Sequence, residues 1–184
     1  MKFYFVRHAP VIGQEGKVYG DDVDIDLDSH KKILQNLSRS LPKTKNTLWL
    51  HSGVDRTLKT GQAILNNRQE PYEIKKCEFF REQNFGDLIG QKHADIKDHL
   101  QWINGNMLAI NPPNGETLEN LKERVHHAII HARNMAQNDN CDDVVIFCHR
   151  GTVRAAHLIF NDLPIDDFIN IDVPTLTYTM YNYD

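Results

Sequence analysis

A chain of 184 residues, 40% hydrophobic and 25% charged, has the length for one three-layer core and the make-up of an ordinary water-soluble globule. Its net charge of −4 argues against nucleic acid or an anionic membrane as partner, and no apolar run approaches the roughly 20 residues that a membrane span needs. Cys77, Cys141 and Cys148 form an odd set without a Cys-x-x-Cys pair, which fits reduced thiols in a cytoplasm.

Phe3-Tyr4-Phe5-Val6 is an aromatic and β-branched run that reads as a strand covered on both faces. It stops at Arg7-His8-Ala9-Pro10, too soon and too polar for a secretory leader. The stretch from Ile12 to Asp28 reads as a covering loop. Its acids Asp21, Asp22, Asp24, Asp26 and Asp28 look like a calcium loop until the spacing is counted: from Asp24, Ser29 holds the glycine position and Gln35 the glutamate position. Ser29 is placed to cap a helix that runs to Leu41, ahead of Pro42. Thr47–His51 is a second strand, Val54–Asn66 a second helix and Glu73–Cys77 a weaker strand. A third helix is expected over His93–Ile103, with Asn111-Pro-Pro-Asn-Gly115 a rigid loop after it. Glu116–Asn138 carries Leu118, Leu121, Val125, Ala128, Ile129 and Ala132 on one stripe, the mark of a long amphipathic helix. His126, His127 and His131 lie on this helix, and the pair His127 and His131 has zinc-ligand spacing, but no Glu or Cys completes a set, so a polar face is the better reading. Strand Val144–Cys148, a helix from Gly151 through Phe160 and strand Tyr178–Tyr183 complete the chain. Strands alternating with helices predict one α/β domain over residues 1–184, a three-layer αβα sandwich with a mainly parallel central sheet.

Three of these strands end in a cation or an imidazole. Arg7 and His8 follow the first, Ser52-Gly53 and then Arg56 the second, His149-Arg150-Gly151 the third. Ligand sites of open α/β sheets lie outside such carboxyl ends, and helix N-termini there favour anions. Two arginines beside two histidines suit a phosphate dianion, which guanidinium grips bidentately. Glu82, in Phe80-Arg81-Glu82-Gln83-Asn84-Phe85-Gly86, is by itself an undistinguished loop acid.

Taken together these pieces resemble the histidine phosphatase superfamily, also called phosphoglycerate mutase-like. Arg7-His8-Ala9 stands where that family has a strand followed by Arg-His-Gly, and Ser52 followed by Arg56-Thr57-Leu58-Lys59-Thr60 matches its Ser turn and Arg-x-x-x-Thr. Glu82-Gln83-Asn84-Phe85-Gly86 matches an acid loop, Gly115-Glu116-Thr117 with Arg124 a Gly-Glu-Ser/Thr step, and His149-Arg150-Gly151-Thr152-Val153-Arg154 the late His-Gly-Gly-x-x-Arg. The resemblance implies that His8 attacks phosphorus as a neutral imidazole to give a phosphohistidine. It implies that Arg7, Arg56 and a protonated His149 clamp the non-bridging oxygens, with neither metal nor cofactor. Glu82 would protonate the leaving alkoxide and then take a proton from water. Gln14 stands near an Asn that touches phosphate in many members, and Arg150 would add its N–H and a charge to the pocket. Ala9 and Arg150 both replace usual glycines, and the alanine is compatible only with a backbone that avoids φ > 0.

The activity this implies is a phosphomonoester phosphatase for a small phosphorylated metabolite. The acid loop looks like that of the α-ribazole phosphate phosphatases of cobalamin synthesis, which points to α-ribazole 5′-phosphate. Short protein-phosphohistidine phosphatases are the alternative, though they generally lack such a loop. A mutase fits less well, because only 20 residues separate Gly61 from Glu82 where family mutases carry a longer insertion. Two rivals come from other classes. Cys148-His149-Arg150-Gly151-Thr152-Val153-Arg154 satisfies Cys-x-x-Gly-x-x-Arg of cysteine-dependent phosphatases, but that mechanism leaves His8, Arg56 and Glu82 without a task. A non-catalytic binder of phosphorylated ligands would explain Ala9 and Arg150, yet not the retention of His8, Glu82 and His149. The sequence leaves the oligomeric state open, a homodimer being one option.

Overall fold

The structure, a computed structural model, describes residues 1–43, 46–66, 68, 72–99, 101–103, 106–108 and 111–183, with backbone alone at 99, 101–103 and 106–108. In chain order its elements are β1 (Lys2–Arg7), α1 (Lys31–Ser40), β2 (Thr47–His51), α2 (Asp55–Leu65), β3 (Ile74–Lys76), β4 (Gln101–Ile103), β5 (Asn106–Leu108), α3 (Leu118–Asn138), β6 (Asp143–Cys148), α4 (Arg150–Phe160) and β7 (Tyr178–Asn182). The central sheet has the order β3-β2-β6-β1-β7. Its pairs are parallel except β1 with β7, so the expected mainly parallel α/β sheet is found.

The strands form because their side chains divide cleanly between two faces. Phe3 and Phe5 of β1, Leu48 and Leu50 of β2, and Val144 and Ile146 of β6 pack on one face with α3 and α4. Val6, Trp49, Val145 and Phe147 pack on the other with Leu34 and Leu37 of α1 and Ile64 and Leu65 of α2. This is the period of two that a strand imposes, and burial on both faces is why the runs read as continuously apolar. At Gly61 the second helix comes so close that a Cβ would lie 2.6 Å from the Phe147 ring. All six residues of the predicted α3 stripe are buried, and Thr117 Oγ1 accepts from the Asn120 N–H at 3.1 Å to cap that helix.

Two expectations are corrected. Ser29 does not cap α1. Its N–H donates to Asp26 Oδ1 at 3.0 Å within a single turn over Asp28–His30, and α1 begins at Lys31. Over His93–Ile103 no α-helix forms among the described residues; position 100 lies outside them. Instead the His93 N–H donates to Gly16 O at 2.8 Å, Lys92 bridges to Lys17, a single turn occupies Lys97–His99, and β4 pairs antiparallel with β5. Ile96 joins Val18 and Leu88 in a small apolar cluster. The covering loop after β1 is thereby stitched to the segment following Glu82.

Candidate active site

In the sheet register Arg7 stands opposite Cys148, and His51 opposite Phe147. The residues one step beyond each strand, His8, Ser52 and His149, are therefore brought to one edge. The backbone fixes this junction: the His8 N–H donates to Cys148 O at 3.1 Å and the Ser52 N–H to Phe147 O at 3.2 Å. The two imidazole centroids lie 5.2 Å apart with their planes 66° from parallel. Ala9 N–H donates to Thr60 Oγ1 at 3.0 Å, and that hydroxyl donates to Arg56 O at 2.7 Å. Thr60 thus hooks the end of β1 to the first turn of α2. Ala9 is not among the residues with positive φ, so the methyl group in place of the usual hydrogen meets no backbone penalty.

Each histidine's tautomer follows from its neighbours. His8 Nδ1 lies 2.7 Å from Ala9 O. A carbonyl can only accept, so Nδ1 carries the proton and Nε2 keeps its lone pair. Burial first, then the Arg56 charge, lowers the His8 pKa from 6.5 to about 3. His149 Nδ1 lies 3.2 Å from Arg56 Nη2, which can only donate, so Nδ1 accepts. Its Nε2–H is then the donor to Ser52 Oγ at 2.8 Å. The Ser52 hydroxyl donates to Thr57 Oγ1 at 3.0 Å, and the Thr57 hydroxyl donates to Val54 O at 2.7 Å. Every link in this chain has one allowed direction, and it closes only with a neutral His149. Burial, then His8 and the arginine charges, hold that ring well below 6.5. The protonated His149 that the resemblance implies is therefore not the form in this arrangement, because Arg56 already supplies the donor that would meet a second N–H.

The arginines converge on this pair. Arg7 is 7% and Arg56 2% exposed, and among the described residues the Nε–H of each is buried without a partner. Arg56 Nη1 donates to Gly20 O at 3.0 Å and Asp21 O at 3.2 Å, reaching the covering loop. Arg7 Nη1 donates to Val173 O at 2.5 Å, while Leu176, in the left-handed region at φ 54°, donates its N–H to Arg7 O at 3.2 Å. Arg154 Nε donates to Ile171 O at 2.9 Å. Arg150 is half-exposed at the first position of α4. Burial and next the Arg150 charge hold Arg7 below the usual guanidinium value. Tyr19, which sequence reasoning missed, lies beside Arg56, its ring centroid 5.6 Å from the guanidinium carbon. Its only sequence signal is an aromatic residue beside Gly20 in an otherwise acidic loop. Gln14 is half-exposed on the same loop, with its carbonyl accepting from the Lys17 N–H at 3.2 Å. Among the described residues its amide makes no hydrogen bond to the histidine pair.

Glu82 is drawn in from another direction. Its Oε1 accepts from Gly151 N–H at 2.9 Å and Gln83 N–H at 3.0 Å. Its Oε2 has only a longer contact with Gly151 N, at 3.2 Å. The approach needs a glycine at 151, since a Cβ there would stand 2.2 Å from Oε1. Thr152 Oγ1, donating toward Phe80 O and Arg81 O at 3.1 and 3.0 Å, fastens the loop to α4. His8, His149, Arg7, Arg56, Arg150 and Glu82 are all brought to the one sheet edge.

The competing motifs fall elsewhere. Cys148 is fully buried within the core shared with α3 and α4, and burial pushes its thiol far up, away from a nucleophilic thiolate. The covering-loop acids disperse: Asp21 pairs with Arg81 at 3.2 Å, Asp24 with Lys59 at 3.8 Å and Asp28 with Lys31 at 3.0 Å. His126 and His127 stack on each other, while His131 turns to Phe79. Among the described residues no group of three or more His, Cys, Asp or Glu could hold a metal ion, and no helix is long and apolar enough to cross a membrane.

The model of the histidine phosphatase superfamily (branch 1) matches residues 3–184. The 2,3-bisphosphoglycerate-dependent phosphoglycerate mutase of Cytophaga hutchinsonii is 26% identical over 140 residues, 72% of this chain. The chain spans 63% of that relative's length. Among solved structures, Bacillus stearothermophilus YhfR superposes with a TM-score of 0.79 at 20% identity, covering 100% of this chain and 91% of the other. The α-ribazole phosphatase from Shigella flexneri superposes with a TM-score of 0.75 at 19% identity, covering 100% and 91%.

Proposed function

Because the chain belongs to the histidine phosphatase superfamily, branch 1, we propose that it is a metal-independent phosphomonoester phosphatase working through a phosphohistidine on Nε2 of His8. The carrying observation is the His8 Nδ1–Ala9 O contact of 2.7 Å, which leaves Nε2 unprotonated beside two buried guanidiniums with unused donors. A buried donor without a partner costs free energy that an anion would recover. The phosphate seat is thus assigned to Arg7 and Arg56, with Arg150 at its rim and Gln14 proposed as a further contact from the covering loop.

The steps balance on these residues. The Nε2 lone pair forms an N–P bond as the P–O bond to the alcohol breaks, and a proton on Glu82 passes to the departing oxygen. Oε2, the carboxylate oxygen less engaged by N–H donors, is the atom assigned to carry it. Water then attacks phosphorus, the N–P bond breaks, and Glu82 takes the water's proton. The Nδ1–H donated to Ala9 O stabilises the positive charge that the ring acquires. His149, neutral and held by Ser52, fixes Arg56 rather than adding a charge of its own. Losing one clamping donor is expected to raise the barrier by about 3–4 kcal/mol.

The substrate proposed is a small phosphorylated metabolite, with α-ribazole 5′-phosphate the first candidate; the acid loop and the likeness to the Shigella enzyme support it. The three unpaired cysteines support a cytoplasmic setting. A mutase reading has one observation in its favour, the likeness to the Cytophaga mutase. Brief mixing with a 32P-labelled phosphomonoester should place acid-labile label on the imidazole of His8 and release inorganic phosphate. Label on sulfur, or turnover surviving His8→Ala, would refute the mechanism. Transfer of label to a second phosphoglycerate position instead of to water would select the mutase.

A further inference from the structure

Glu116, just before the start of α3, and Arg124, two turns in, lie outside the phosphate seat, yet together they gather the loop that carries Glu82. Arg124 Nη1 donates to Phe79 O at 2.7 Å and Arg81 O at 3.1 Å, and Nη2 donates to Glu82 O at 3.3 Å. Its remaining donors form a fork onto Glu116, Nε to Oε1 at 2.8 Å and Nη2 to Oε2 at 2.7 Å. Glu116 grips the far side of the same loop. Its carbonyl accepts from Gln83 Nε2 at 2.7 Å, its N–H donates to Asn84 O at 2.8 Å, and its Oε2 accepts from the Asn84 N–H at 3.3 Å. Both side chains are largely covered, at 23% and 15% exposure.

This is far more order than an exposed ion pair provides. The loop from 79 to 84 has no sheet or helix of its own to satisfy its carbonyls beyond the single turn Glu78–Phe80, and one planar guanidinium reaches three of them. The carboxylate of Glu116 cancels the Arg124 charge locally, so the brace adds no net charge beside a phosphate. Arg124 holds the Glu82 backbone from α3, while Gly151 holds the Glu82 carboxylate from α4.

We propose that Arg124 and Glu116 are positioning residues for the general acid: they fix where Glu82 presents its proton and do not contact the phosphate. The proposal rests on Glu82 being that acid. A positioning defect therefore has a signature that loss of stability lacks, namely dependence on the leaving group. Alkyl esters need a proton on the departing oxygen, whereas p-nitrophenolate leaves without one.

The test compares kcat for an alkyl phosphomonoester and for p-nitrophenyl phosphate in Glu82→Gln, Arg124→Met and the double variant. Arg124→Met is expected to lower alkyl turnover by about 100-fold while p-nitrophenyl phosphate turnover stays near the parent's. In the Glu82→Gln background the second change is expected to leave the alkyl-to-aryl ratio where Glu82→Gln put it, because both act through one group. A selective loss in Glu82→Gln with an unchanged ratio in Arg124→Met, or full additivity in the double variant, overturns the positioning role alone. An unchanged ratio in Glu82→Gln overturns the acid assignment and this inference with it. Glu116→Gln, which keeps an acceptor while losing the charge, is read the same way should Arg124→Met not fold.

Discussion

Cys148 lies one peptide bond from a site histidine and still belongs to the core. Its side chain faces α3 and α4, where burial and then the nearby Glu82 charge keep the thiol protonated. Cys148→Ser is accordingly expected to retain most p-nitrophenyl phosphate turnover, while His8→Ala abolishes it. Gly151 makes the opposite point, since an absent side chain there matters more than most present ones. Gly151→Ala would place a Cβ 2.2 Å from Glu82 Oε1. We expect alkyl phosphate turnover to fall by about 100-fold, with an unchanged or slightly raised melting temperature, because alanine is the better helix former. Arg7, His8, Arg56 and His149 could be read from the sequence because each lies at the end of a strand or in the first turn of the helix after it, where position along the chain fixes position in space. Tyr19 could not, and for Glu116 and Arg124 the motif was legible but the loop they brace was not. Their partners lie across loops, and nothing local in the sequence records which loop lies against which.

Among the elements, legibility follows the range of the interactions that make them. The α3 stripe is set by a helix burying its own face, so period alone identifies it, while Phe3 to Val6 reads as a strand because it is a short apolar run buried on both faces. The span from His93 to Ile103 has Ile96 and Ile103 seven residues apart, a helical interval. Its start is instead tied to Gly16 through the His93 N–H and Ile96 packs on Val18, some 75 residues earlier, while Gln101–Ile103 pairs with Asn106–Leu108. The energetic weight of the elements can be checked at Leu121, fully buried in the middle of the α3 stripe. Leu121→Ala is expected to cost about 2–5 kcal/mol in urea unfolding, with the catalytic ratio between ester types unaltered.

Taken as a whole, the molecule gathers cations at one edge of a sheet although its net charge is −4. It keeps two imidazoles neutral there. For His8 the native pKa, about 3, lies below the ordinary 6.5, and His149 shifts in the same direction. Above pH 6.5 folded and unfolded chains bind these protons equally, and the stability is fully present. As pH falls from there toward 3 the unfolded chain takes up protons that the native one refuses, and stability declines. Melting temperature should therefore drop across that interval, and less steeply in His8→Asn. A profile that is flat from pH 7 to 4 would contradict the buried neutral pair.

The run of chain that leads into β7 is fastened by Arg7, one of the two guanidiniums proposed to hold the phosphate, through Val173 O, and by Arg154 through Ile171 O. The left-handed Leu176 closes that fastening onto the Arg7 backbone. Occupancy and tail attachment are then linked quantities, since whatever draws Arg7 toward an anion alters its hold on Val173 by an equal and reciprocal amount. The antiparallel border strand is in this sense a gauge of the pocket, and amide exchange at Leu176 should change when inorganic phosphate is added.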